Sequence, residues 1–198
     1  MSEEPRKPGS FAPIALGIAL MVLLAVVVHR LRKPGGDDAN GGVHVVEGRT
    51  LAVFGPVPEV ALTDRFTRPF RFETLKGRVT VVNFFFTTCP GPCIPLTRNV
   101  RLLVSTFRAE PNVGFASVSV DPAADTPDQL TTFARAQGGE FPRWDWLTGT
   151  REEIVKTCRG FFAPFGEKNK EGEILHSTKL FVVDQEGRLR SAIDTQND

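Results

Sequence analysis

VTVVNFFFTTCPGPC, residues 79–93, carries a strand, a pair of thiols and the first turn of a helix. From Val79 to Phe86 every residue except Asn83 is apolar or β-branched, the pattern of a strand buried on both faces. Thr87 and Thr88 finish the strand and order the loop. Cys89 and Cys93 follow, with Pro-Gly-Pro between them. The period then changes: Ile94, Leu96, Val100, Leu103, Val104 and Phe107 fall largely on one helical face, and Pro95 is tolerated only in the first turn. Two thiols therefore stand where a central strand hands over to a helix N-terminus. Unpaired amide N–H groups and the helix dipole favour negative charge there, so a lowered thiol pKa is expected.

Working outward, the 198 residues carry 24 basic and 23 acidic side chains, and 41% are hydrophobic. That is enough for one domain with a real core, and the balanced charge argues against nucleic-acid binding. Three cysteines are too few for a disulfide scaffold and suit one reactive pair plus one leftover. On the C-terminal side, Val113–Val120 reads as a second buried strand. Asp125-Thr126-Pro127 opens a helix, with Asp125 as cap and Pro127 at the first position. Asp121, before Pro122, reads as a turn former. Trp144–Leu147 is a short strand, and Thr150 with Glu153 makes a capping box for a helix bearing Ile154, Val155 and Cys158. Phe161–Gly172 runs into a charged loop. Ile174–Asp184 reads as one strand, turned at residues 185–188 into a partner at Leu189–Ile193. On the N-terminal side, Glu59–Thr63 and Pro69–Phe72 read as short strands. Alternating strands and helices with a closing hairpin predict an α/β sandwich around a mixed sheet.

The N-terminus has a different character. Residues 1–10 are a polar flank, and Phe11–Val28 is an uncharged apolar run followed by His29, Arg30, Arg32 and Lys33. No small-residue cleavage site precedes that basic cluster, so a single transmembrane anchor over residues 11–31 is expected rather than a cleaved leader. The basic count, Arg6 and Lys7 against Arg30, Arg32 and Lys33, points by one residue to a cytoplasmic domain. Residues 32–47 are a Gly- and Asp-rich tether, and residues 48–198 form the folded domain.

The Cys89–Cys93 pair admits several chemistries. Thioredoxin-type redox pairs have two intervening residues where this chain has three. Two thiolates are soft ligands that select copper(I) or zinc, and a structural zinc site wants four protein ligands. One imidazole beside two thiolates would satisfy copper. His29 and His44 lie in the membrane flank and the tether. His176 lies near the start of the late strand, where a ligand role and a half-buried structural role are both open. Cys158 reads as a small core residue.

At this point the chain resembles the Sco/SenC family. The resemblance rests on Phe85–Cys93, on Ser119-Val120-Asp121-Pro122 with Asp125-Thr126-Pro127, on Leu147–Thr150, and on His176-Ser177-Thr178 before Phe181–Asp184 and Gly187. It implies a thioredoxin-like sandwich with a central mixed sheet, and one copper ion per chain bound by Cys89, Cys93 and His176. It implies a membrane-anchored copper chaperone that delivers copper to, or reduces the thiols of, the binuclear copper site of cytochrome c oxidase. The partners implied are the copper-site subunit of that oxidase, with other copper carriers or thiol reductases. The implied location is the inner membrane, with the soluble domain in the periplasm, against the one-residue charge count. Two departures stand out: Gly91 where an acidic residue is common, and Ile94-Pro95 where Pro directly follows the second Cys. The resemblance also implies a last helix covering one sheet face; the sequence stops at Asp198 after the hairpin, so either that helix is absent or the sequence is truncated. Two other readings compete. A thiol–disulfide oxidoreductase needs Cys89 and Cys93 (as catalytic residues) but not His176. A peroxidase of peroxiredoxin type needs one thiol and a nearby arginine, of which Arg98 is nearest in sequence.

Overall fold

A computed structural model describes residues 52–195, apart from Pro90, Pro92 and Glu171. The expected membrane anchor (residues 11–31) and tether (residues 32–47) lie outside the described residues. No helix among the described residues is long and apolar enough to cross a membrane. The strands are β1 (Gly55–Pro56), β2 (Leu62–Asp64), β3 (Pro69–Phe70), β4 (Val79–Phe85), β5 (Val113–Ser119), β6 (Trp144–Thr148), β7 (Phe165–Lys168), β8 (Ile174–His176), β9 (Lys179–Val183) and β10 (Arg188–Asp194). The helices are α1 (Cys93–Thr106), α2 (Pro127–Ala136) and α3 (Arg151–Gly160).

Eight strands form one mixed sheet in the order β1-β10-β9-β4-β5-β6-β2-β3, while β7 and β8 pair separately. Strand β4 lies near the middle, parallel to β5 and antiparallel to β9. Its consecutive phenylalanines point to opposite faces, as a strand's two-residue period requires. Phe84 meets Phe161 and Phe181 at ring centroid distances of 5.7 and 5.6 Å. Phe85 meets Phe133 of α2 and Trp146 of β6 at 5.4 and 5.3 Å. Both rings are fully buried. Asn83, the one polar residue in the run, is satisfied: its Oδ1 accepts from Ser117 Oγ at 2.7 Å, and Ser117 Oγ accepts from Trp144 Nε1 at 2.9 Å. Right-handed crossovers through β4, β5 and β6 put α1 and α2 on one face. Phe161, which caps α3, packs on the other.

Several local readings change. The cap of α2 is Thr126, whose hydroxyl accepts from Gln129 N, and not Asp125. In the Thr150–Glu153 pair the hydroxyl accepts from Glu153 N, but the Glu153 carboxylate accepts from Ala61 N at 2.8 Å, so it anchors the β2 approach. The strand expected over Ile174–Asp184 is divided. Ile174–His176 turns away to pair with β7, and only Lys179–Val183 joins the main sheet. The expected strand at Glu59–Thr63 falls at Leu62–Asp64, and that at Pro69–Phe72 is followed at once by a 3-10 turn over Phe72–Leu75.

The β9–β10 hairpin turns on Asp184 and on Gly187, whose φ of 77° suits glycine. The Asp184 carboxylate accepts from Glu186 N, Arg188 N, Arg188 Nε and an Arg190 guanidinium nitrogen. Burial pushes its pKa up, but the hydrogen bonds from Arg188 and Arg190 outweigh this and hold it well below the usual carboxylate range. A carboxyl depressed in the folded state adds stability above its ordinary value of about 3.9 and loses it as pH falls through the folded value. Asp184→Asn is therefore expected to lower the melting temperature at neutral pH. Melts repeated in progressively stronger acid should show the gap to the parent closing.

Candidate metal centre

The C-terminal end of β4 delivers the first thiol. Cys89 N donates to Phe86 O at 3.3 Å, which turns the chain out of the sheet within three residues. Cys93 is the first residue of α1, and Ile94 N donates to Gly91 O at 3.2 Å as the helix starts. Proline-rich spacing suits this junction, since proline supplies no N–H and belongs in turns and first helical positions.

His176 closes the site from β8. Its Nδ1 lies 2.8 Å from Ile174 O. A carbonyl only accepts, so Nδ1 carries the proton and Nε2 presents its lone pair. That Nε2 lies 3.0 Å from Cys93 Sγ. The Phe86 ring packs edge-on to the imidazole at a centroid distance of 5.4 Å. The two sulfurs and one imidazole nitrogen all lie within 4.8 Å of one another. No other group of three or more His, Cys, Asp or Glu side chains among the described residues is arranged this way. Cys89, Cys93 and His176 are thus positioned to form a metal site. Holding imidazole through its second nitrogen is the usual way a protein fixes a metal-ligating histidine.

Burial sets the protonation of the site. Cys93 is 3% exposed and His176 8% exposed. Burial, followed by the hydrogen bond with Cys89, pushes the Cys93 thiol far above its ordinary range. The expectation that the helix terminus would lower it is therefore wrong for Cys93, because desolvation outweighs the dipole. His176 is pushed down by burial, against the hydrogen bond to Ile174, so the imidazole is neutral. An apolar groove of about 510 Å³, walled by Phe161, Phe181 and Leu189, reaches the His176–Lys179 segment and supplies part of that low-dielectric surround. The donor set is two sulfurs and one neutral nitrogen, soft in character and three in number. That fits copper(I), whereas structural zinc wants a fourth ligand.

Cys158 lies on α3, 1% exposed in the hydrophobic core, and burial pushes its thiol up to about 12. It is not a member of the cluster. Asp125, read from sequence as a cap, is the residue whose place was missed. It is fully buried and accepts hydrogen bonds from Thr87 N, Thr87 Oγ1 and Ser119 Oγ.

The SCO1/SenC family model matches residues 57–198. The SCO1 protein homolog of Bacillus subtilis is 32% identical over 120 residues, covering 59% of this chain and 62% of that protein. The chain therefore spans less than two thirds of that relative's length. Among solved structures, BsSco is described as a member of the Sco family of cytochrome c oxidase assembly proteins with a disulfide switch. It is 28% identical with a TM-score of 0.64, covering 73% of this chain and 87% of that one. Bradyrhizobium japonicum ScoI with copper bound is 25% identical with a TM-score of 0.60, covering 74% of this chain and 92% of that one. With the sheet order above, these likenesses establish the thioredoxin-like α/β fold around a mixed sheet.

Exposure ranks the three thiols, since Cys89 is half-buried while Cys93 and Cys158 are buried. In the reduced native protein, iodoacetamide at pH 8 should alkylate Cys89 first. Cys93 and Cys158, protonated and covered, should react at rates limited by local opening. Peptide mass analysis against time would check this, and all three should react alike in denaturant.

Proposed function

From the premise that the chain belongs to the SCO1/SenC family, we propose that it is a copper-transfer protein. It takes one copper(I) on Cys89, Cys93 and His176 and delivers it to the copper-site subunit of cytochrome c oxidase. Copper is cargo here and not a resident cofactor. The observation that carries the reading is the placement of His176 Nε2 against Cys93 Sγ at 3.0 Å, with the imidazole held neutral. A dithiol reductase has no use for that third donor.

The chain's own groups account for loading and release. Cys89, half-buried, is the thiol through which cargo arrives, and Cys93 and His176 complete the grip from inside. Both thiols surrender protons as they bind, so affinity rises with pH. Oxidation of the pair to a disulfide removes both thiolate ligands, so redox state gates loading. Release is ligand exchange, in which a partner's thiolates replace Cys89 first because it is the accessible sulfur. On this reading residues 11–31 anchor the chain in the inner membrane, with the domain in the periplasm, where the oxidase's copper subunit is reached.

A disulfide reductase acting on that subunit's thiols is the second reading. It is favoured by the one accessible, one covered arrangement of Cys89 and Cys93. Titration of the reduced, detergent-solubilised chain with copper(I) under anaerobic conditions separates the two. The expected result is one copper per chain. His176→Ala should weaken it by more than the roughly 10- to 100-fold typical of losing a mere outer partner. The same variant should leave the Cys89–Cys93 reduction potential nearly unchanged. No copper binding, or binding indifferent to His176, would transfer the assignment to the reductase.

A further inference from the structure

Asp125 stands at the start of α2, yet its side chain does no capping, because Thr126 does that. It reaches back instead across 38 residues of sequence to the end of β4. Oδ2 accepts from Thr87 N at 3.0 Å and from Ser119 Oγ at 2.5 Å, and Oδ1 accepts from Thr87 Oγ1 at 2.5 Å. Ser119 Oγ in turn accepts from Asp121 N at 3.1 Å. Three donors converge on two oxygens, the set an ionised carboxylate accepts. Asp125 is fully buried, so these donors hold its carboxyl away from bulk solvent. Thr87 lies two residues before Cys89, at the point where the chain leaves the sheet. The carboxylate thus ties together the ends of β4 and β5 and the root of the cysteine loop.

We propose that Asp125 is a positioning residue for the thiol pair: by gripping Thr87 through both backbone and hydroxyl, it fixes Cys89 beside Cys93 in the reduced arrangement that faces His176. The physical reason is economy of motion. A segment rich in Pro and Gly offers few backbone donors, because proline supplies no N–H, and one buried carboxyl with fixed acceptors removes its freedom at the hinge. Burial pushes the Asp125 carboxyl above its ordinary range while the bonds from Ser119 and Thr87 pull it back, and in the ionised form each of those bonds is charge-assisted, about twice as strong as a neutral one. Loosening it would free Cys89 to reach disulfide geometry with Cys93 and favour the disulfide over the fixed, metal-ready dithiol.

The copper arm of the test rests on the function proposed above, while the redox arm does not. The full chain in detergent would be compared with Asp125→Asn, Thr87→Val, their double variant, and Thr87→Ser. The first readout is copper(I) affinity by chelator competition. The second is the equilibrium of the Cys89–Cys93 pair with a glutathione buffer in the absence of metal. Asp125→Asn and Thr87→Val should each weaken copper about 10- to 100-fold and shift the pair toward disulfide about tenfold, or ~30 mV. The double variant should be no worse than the poorer single one, because both break one tether. Thr87→Ser, which keeps the hydroxyl, should match the parent; a merely structural threonine gives no reason for that rescue. Thr87→Val keeps the side-chain volume, so the comparison survives if Asp125→Asn does not fold. A folded variant whose redox equilibrium matches the parent's, or a double variant with additive losses, would overturn the proposal. Absence of copper binding in the parent would sink the copper-transfer reading and leave the redox arm to decide the role of Asp125.

Discussion

Strand β4 is covered on both faces, and this burial is the constraint on which the site depends. With Phe84 locked among Phe161 and Phe181 and Phe85 among Phe133 and Trp146, a one-residue slip would exchange two packed faces at once. Removing one such ring costs about 3–5 kcal/mol, a large share of a domain's stability. The strand's last residue is therefore a fixed point. The tether at Thr87, the thiol at Cys89 and the helix that opens on Cys93 all follow directly from it. Precision at the thiols is inherited in large part from packing further back along the strand.

The same burial governs the electrostatics. The reduced site, with Cys93 protonated and His176 neutral, carries little charge into an apolar surround. Two bare thiolates there would be costly to desolvate, so an incoming cation supplies the compensating charge at the moment the protons depart. The pocket is built to be empty and neutral or filled and compensated, with intermediate states disfavoured.

Much of this was legible in the sequence. The change from a continuous apolar run to helical spacing located β4, the thiols and α1, because the periodicity is local and strong. His176 is different in kind. No spacing rule links it to Cys93, 83 residues away; the residues left a ligand role and a structural role both open, and the resemblance of motifs in order favoured the ligand. Asp125 was misread because Asp-Thr-Pro offers two capping residues in a row, and tertiary contact with Thr87 decided which one capped. Strand β7 was invisible because Phe165–Lys168 has no alternation and exists by pairing with β8. The break between β8 and β9 falls at Ser177-Thr178, where the apolar run gives no hint of a change of sheet. The burial of Cys93 was likewise beyond the chain's local pattern, since a helix terminus does not announce how deeply it is set.

That division of β8 from β9 has a consequence for the chain as a polymer. The thiols belong to the main sheet's exit, while the imidazole rides on a small separate two-stranded ribbon. An ion gripped by all three donors is a removable crosslink between two pieces of structure, closing a circuit of 83 residues between Cys93 and His176. Such a closure is possible in the native fold and entropically improbable in an unravelled chain. Occupancy is thereby convertible into resistance to unravelling, to the extent that the folded chain with all three donors holds the ion more tightly than the Cys89–Cys93 pair of an unravelled one. Loaded and unloaded molecules would differ less in shape than in lifetime, so that surveillance by proteases could tell them apart without recognising the metal.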